Sequence, residues 1–191
     1  MGRTHSVTIP ILETPRLILR AFAPDDWDAI NAMLSDTEAM EHMHFKSWND
    51  EQRRQWFDEC VAVGERSSPN GMEWAIERKD TGEVIGWFGI GTTSEPATTY
   101  DISFGYALAR PHWNQGYMTE VLRGIFAYEF DILGLPQLSA NCRAANIGSA
   151  RAMEKAGMRR TKSDYGADFE GNWSHRHHYL ITRDEWNAQK G

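Results

Sequence analysis

Pro111-His112-Trp113-Asn114-Gln115-Gly116-Tyr117-Met118-Thr119-Glu120 joins a stretch of strand character to an amphipathic helix through one short turn. Downstream, Met118, Val121, Leu122, Ile125 and Phe126 recur at helical spacing and form a single apolar stripe, which can extend to Leu133. The first amides of such a helix have no carbonyl partner inside it, and with the helix dipole they offer a site for phosphate or pyrophosphate. Gly116 lets the backbone approach an anion with no side chain between. A glycine in a strand-to-helix turn is as often only a turn, so this stretch alone leaves both readings open. It is neither a Walker loop, since no Gly-Lys-Ser/Thr follows, nor a dinucleotide fingerprint, since the three-glycine spacing is absent.

Outward from this turn, residues 73–78 and 83–90 read as strands flanking Lys79-Asp80-Thr81-Gly82, a hairpin signal, and 100–108 as a third. Before them, 17–19 read as a first strand, a helix starts at Asp25 or Asp26, and a second runs from about Asp50 through Arg66. After the central helix come a short strand at 138–142, a helix at about 147–156, and strands around 159–162 and 175–182. Asn146 is the expected N-cap of that later helix and Gly157 its stop. A meander followed by crossover connections predicts a mixed sheet in an α/β (α+β) fold. The opening ten residues read as a loose arm, and the expected organisation is an N-terminal arm over 1–13 and one domain over 14–187.

Composition narrows the function. The chain has 191 residues, 41% hydrophobic and 25% charged, values of a globular protein. A net charge of −7 argues against a nucleic-acid backbone as partner and suits cationic substrates. Cys60 and Cys142 stand far apart in no metal spacing, which predicts reduced thiols in a cytoplasmic protein. No apolar run reaches membrane-span length, and the opening residues lack a signal-peptide core, so no membrane association is expected. His175-Arg176-His177-His178 invites a metal reading, but on a strand His178 points away from the other two and no carboxylate or Cys completes a set; no metal is expected.

Asn146-x-x-Ser149 opens the later helix and Glu154-Lys155-Ala156-Gly157-Met158 closes it. With the turn at 113–118, Gly105-Tyr106 before it and Thr119-Glu120 after it, this ordered set resembles the GNAT superfamily of N-acetyltransferases. Within it, the chain looks like the branch that acetylates the N-termini of ribosomal proteins. The likeness runs from about Thr14 to Trp186. Trp113 stands where the superfamily motif has Gln or Arg, and Met118 where it has a small residue; Met118's place in the helical stripe turns its side chain to the core.

The resemblance implies a mixed sheet of about seven strands, splayed between its fourth and fifth, with four main helices and acetyl-CoA as co-substrate. The pantetheine arm would pair with backbone near Ala107, Leu108 and Ala109. The pyrophosphate would rest on the amides of Asn114, Gln115, Gly116, Tyr117, Met118 and Thr119, with Asn146 and Ser149 reaching from the later helix. The superfamily's acid is often a Tyr at the place of Met153, which cannot donate a proton; the branch's Ser points to Ser149 instead. Trp27 and Trp48 fall in the region bordering the acceptor site, where aromatic faces suit a cation.

An amine must lose a proton before attacking a thioester, so a base or a water relay is required. Strand alternation places Asp101, Ser103 and Gly105 on one face, making Asp101 the candidate base with a solvated strand-end carboxylate as the alternative reading; Glu73 and Glu95 rank lower. Neither cysteine has a His partner in the sequence to activate it, which favours direct attack. The expectation is therefore an acetyl-CoA-dependent transfer to a small amine or a protein N-terminus, by a monomer or homodimer. The rival is a non-catalytic acyl-CoA-binding module.

Overall fold

A computed structural model describes residues 9–43, 47–64, 71–92, 102–167 and 173–190. Among these residues the strands are β1 (Leu12–Glu13), β2 (Leu17–Arg20), β3 (Gly71–Arg78), β4 (Val84–Thr92), β5 (Ile102–Leu108), β6 (Gln137–Arg143), β7 (Arg159–Ala167) and β8 (Trp173–Thr182). The helices are α1 (Trp27–Leu34), α2 (Asp50–Gly64), α3 (Tyr117–Ala127), α4 (Ile147–Ala156) and α5 (Arg183–Ala188). The sheet is open and mixed, in the order β1-β2-β3-β4-β5-β6-β8-β7. The chain forms two compact units, Met1–Gly91 with Gly105–His112, and Thr92–Phe104 with Trp113–Gly191.

In the first unit β1 to β4 are antiparallel neighbours, and the expected hairpin closes where Arg78 N–H donates to Glu83 O at 2.9 Å. Gly82 takes a left-handed φ of 71° in that turn. Trp74, Ile76 and Phe88 line one sheet face; Ala75 and Trp87 lie on the other, with Ala107 of β5, and meet Ile30 and Met33 of α1 and Phe57 and Cys60 of α2. Each fully buried Leu, Ile or Phe contributes roughly 1.5–3 kcal/mol, so Leu17 and Leu19, both 0% exposed, hold β2 firmly. Arg53 ties α2 to α1 through Asn31 Oδ1 at 2.9 Å.

Ile9 and Pro10 depart from the loose-arm expectation, and the N-terminal arm carries a short strand. Ile9 is buried, Pro10 O accepts from Trp74 Nε1 at 2.8 Å, and Leu12 and Glu13 form β1 against β2. Two apolar side chains and one free edge of β2 suffice to dock a segment whose pattern is too short to read as a strand.

In the second unit β5 and β6 run parallel and pair at Ser103 and Ser139, whose hydroxyl donates to Ile102 O at 3.0 Å. β8 lies antiparallel between β6 and β7. α3 buries its stripe, Val121, Leu122, Ile125 and Phe126 all at 0% exposure, and packs against α4. Phe104, Phe126, Phe130 and Trp186 form an aromatic cluster beneath it. The helix continues past Ala127 into a wider turn, Tyr128–Ile132, with Leu133 N–H donating to Tyr128 O at 3.1 Å. That turn buries Glu129 to 2% exposure, and its Oε1 has no hydrogen-bond partner among the described residues. Burial raises the Glu129 carboxyl to about 7. No helix among the described residues is long and apolar enough to cross a membrane.

Candidate active site

In the second unit, the turn before α3 has an unusual backbone. Asn114 has φ 59° and Gly116 φ 79°, two left-handed residues separated by one. Asn and Gly are the residues that adopt this region at little cost, and alternating handedness turns successive amides toward a common point, an anion-binding concavity. Gly116 is the N-cap of α3 and has no side chain with which to cap it, while Asn114, Gln115 and Gly116 are exposed. Helix geometry supplies no internal acceptor to the amides of Tyr117, Met118 and Thr119. The side chains of Tyr117 and Met118 are buried, 7% exposed each, so the core holds the helix start in place while its amides point along the axis. Met118 thus faces the core, as its place in the stripe requires.

α4 begins differently. Asn146 Oδ1 accepts from Ser149 N–H at 3.0 Å, the expected N-cap. Because Asn146 serves the amides, the Ser149 hydroxyl is not the cap; it is hydrogen-bonded to the Cys142 thiol of β6. Asn146 and Ser149 are therefore brought together, with the carboxamide oxygen of Asn146 committed to the helix. Met153, at the place of the superfamily's Tyr, is 1% exposed and part of the core.

Burial pushes the Cys142 thiol up, and burial with nearby Glu73 and Glu59 pushes the Cys60 thiol up further. Cys142 stands opposite His177 in the β6–β8 register, but the ring nitrogens of His177 engage Ser163 at 2.8 Å and Arg160 at 3.3 Å. The histidines of this run divide their attention: His178 contacts Asp164 at 2.9 Å, and His175 packs on Tyr165 at 5.0 Å. No cluster of three metal-ligating side chains occurs among the described residues.

In the first unit, Ala107 and Leu108 are buried and Ala109 N–H donates to Ile85 O at 2.9 Å. The amide of Ala109 is thus spent on β4, and alternation turns that of Leu108 to the opposite edge of β5. Trp27 packs edge-on against Phe57 at 5.3 Å and carries the Arg54 guanidinium 4.9 Å over its ring. Trp48 meets Trp56 at 6.5 Å, and Trp56 meets Trp87 at 5.6 Å. Ser103 is half-buried in the second unit, and Asp101 lies outside the described residues.

Sequence reasoning ranked Glu73 low, yet its setting is distinctive. Glu73 of β3 stands opposite Gly89 of β4, and a Cβ at Gly89 would overlap its carboxylate, so the missing side chain makes the niche. Its Oε2 is buried with no hydrogen-bond partner among the described residues, and burial raises the carboxyl to about 8. The available signal was a Glu next to the apolar run Trp74-Ala75-Ile76, followed by glycines at 86, 89 and 91.

Comparison with known proteins agrees with this geometry. Residues 16–159 match the family model described as an acetyltransferase (GNAT) domain. The chain is similar to the uncharacterized N-acetyltransferase YoaA of Bacillus subtilis, 32% identical over 152 residues, covering 79% of this chain and 84% of that one. In structure it is similar to a GNAT-family acetyltransferase from Bacillus anthracis, with TM-score 0.78 and 21% identity over 92% of this chain and 99% of that one. It also resembles in fold a spermidine N-acetyltransferase from Vibrio cholerae in complex with CoA and spermine, with TM-score 0.73 and 14% identity over 90% of this chain and 98% of that one. With three-quarters of its length matched by the family model and relatives that are N-acetyltransferases by name, the chain belongs to the GNAT family of acetyltransferases.

Proposed function

We propose that this acetyltransferase moves an acetyl group from acetyl-CoA directly to a primary amine, carried by a small molecule or a protein N-terminus. The observation that carries the reading is the start of α3: two left-handed residues and an N-cap without a side chain. The amides of Asn114, Gln115, Gly116, Tyr117, Met118 and Thr119 would hold the pyrophosphate there. Leu108 would offer backbone pairing to the pantetheine arm and an amide to the carbonyl oxygen as charge develops on it. Ser149 would return a proton to the departing thiolate. Direct attack is supported by the state of both cysteines, whose burial keeps them as neutral thiols and poor nucleophiles.

For the acceptor, the sequence likeness to the ribosomal-protein branch favours an N-terminal amine, and the spermidine enzyme among the structural neighbours keeps small polyamines in view. The test is a panel of amines and amino-terminal peptides with acetyl-CoA, followed by release of free thiol. Turnover above the uncatalysed rate with at least one amine is expected. Acetyl-CoA binding without thiol release across the panel would make the chain a cofactor-binding module instead.

A further inference from the structure

The face of the first unit that carries Glu73 has two glycines in line with it, one of them lying under the carboxylate itself. Glu73 lies opposite Gly89, as Ala75 lies opposite Trp87. Ala109 N–H meets Ile85 O, and Phe88 stacks on Tyr106 at 6.3 Å, so the same antiparallel register sets Gly89 beside Gly105. A Cβ at Gly105 would touch only the rim of Trp87, at 3.7 Å. Three strands thus present, in one row, a carboxylate and two bare backbones. Trp87, Trp56 and Trp48 follow one another in edge-on contact along the same side. The Glu73 carboxylate over Gly89, the thinly covered Gly105 beside it, an aromatic wall and an inner oxygen with no hydrogen-bond partner among the described residues fit a cationic head group.

We propose that Glu73 is the base of the reaction, taking a proton from the ammonium of a cationic primary amine seated beside it at Gly105. The inference rests on the acetyl-transfer reading above and assigns Glu73 the role that sequence reasoning gave to Asp101. As the ammonium binds, the Glu73 carboxylic acid releases its proton to solvent, and one ammonium proton then passes to the carboxylate oxygen. The freed lone pair attacks the thioester carbon, the C–N bond forms and the C–S bond breaks. The second nitrogen proton leaves as the amide forms, and the thiolate sulfur is protonated. Glu73 is left as the carboxylic acid it was before the substrate arrived. The titratable group facing Glu73 from α2 is Cys60, a neutral thiol, and among the described residues no cation holds the carboxylate ionised before the substrate arrives.

The test compares wild type, Glu73→Gln and Gly89→Ala with acetyl-CoA and spermidine, tyramine or an alanyl peptide, from about pH 6 to about pH 9. Glu73→Gln should lower kcat about 100-fold and flatten the acidic limb, with acetyl-CoA affinity by calorimetry unchanged. Gly89→Ala, whose new methyl meets the flexible end of Glu73 first, should keep the fold and lower kcat about tenfold by displacing the carboxylate. Full turnover in Glu73→Gln, with a limb that tracks only the acceptor's own pKa, overturns the assignment. If wild type acetylates none of these amines, the transferase reading fails. Infrared difference spectra then judge Glu73 separately: a carboxylic-acid band at neutral pH that is absent from Glu73→Gln and ionises on adding spermidine upholds the cation site, and no such band overturns it.

Discussion

α3 and α4 both begin in the second unit after a tight turn, yet only α4 is capped by a side chain of its own. At α4 the Asn146 carboxamide accepts the Ser149 amide, whereas at α3 the N-cap is Gly116, which has nothing to offer. Replacing an N-cap Asn by Gly costs only a few tenths of a kcal/mol, so stability alone does not forbid a bare start. The backbone around the two starts is more telling. Asn114 and Gly116 are both left-handed, while Asn146 has φ −80°. One start is finished by a side chain; the other is where the pyrophosphate is proposed to lie.

Breaking the contrast at α3 should have the largest effect. Gly116→Asp places a carboxylate where the phosphates are proposed to lie and supplies a side-chain cap to the amides. Like charges a few ångströms apart near a protein surface should weaken acetyl-CoA binding about 100-fold or more. Calorimetry on the folded variant checks this, and unchanged affinity would put the phosphates elsewhere.

A smaller effect is expected at the hydroxyl beyond the α4 cap. Ser149→Ala leaves the Asn146 cap intact and removes the partner of Cys142. If Ser149 supplies the thiolate proton, kcat should fall at least about tenfold at constant acetyl-CoA affinity. Preserved turnover per folded molecule would reduce Ser149 to a neighbour of a buried thiol. The smallest effect belongs to the cap itself: Asn146→Ala should cost about 1 kcal/mol in denaturant unfolding. A loss in acetyl-CoA affinity well beyond that figure would show the Asn146 amide reaching the ligand as well as the helix.

Much of this contrast was legible because it is local. The α3 stripe, the turn with Gly116, the Asn146 cap and the Gly157 stop, which has φ 105°, each depend on neighbours within one or two helical turns. β1 was not legible, because Leu12 and Glu13 become a strand only by pairing with Leu19 and Ile18. The hydrogen bond of Ser149 to Cys142 joins a helix to a strand and leaves no mark in either segment's pattern. Glu73 illustrates the limit best. Its residue type was visible and it was weighed as a base, but its niche exists because Gly89 stands across from it in another strand. Pairing sets that meeting, and spacing along the chain does not reveal it.

The turn that buries Glu129 has a consequence for the folding reaction itself. A Glu in the unfolded chain titrates near 4.5, whereas the folded chain holds Glu129 at about 7 and Glu73 at about 8. Between those values the native state binds more protons than the unfolded one, so folding near neutrality consumes hydrogen ions. By linkage, stability is greatest below about pH 4.5 as far as these two groups are concerned, and is lost as pH rises through 7 and 8. Refolding in weak buffer should therefore make an indicator dye report alkalinisation, in step with the return of tryptophan fluorescence. Glu129→Gln should reduce that uptake and raise stability at pH 8 by roughly 3 kcal/mol, with little change near pH 5. A proton count that Glu129→Gln leaves unaltered would mean that Glu129 ionises in the native state at its ordinary pH.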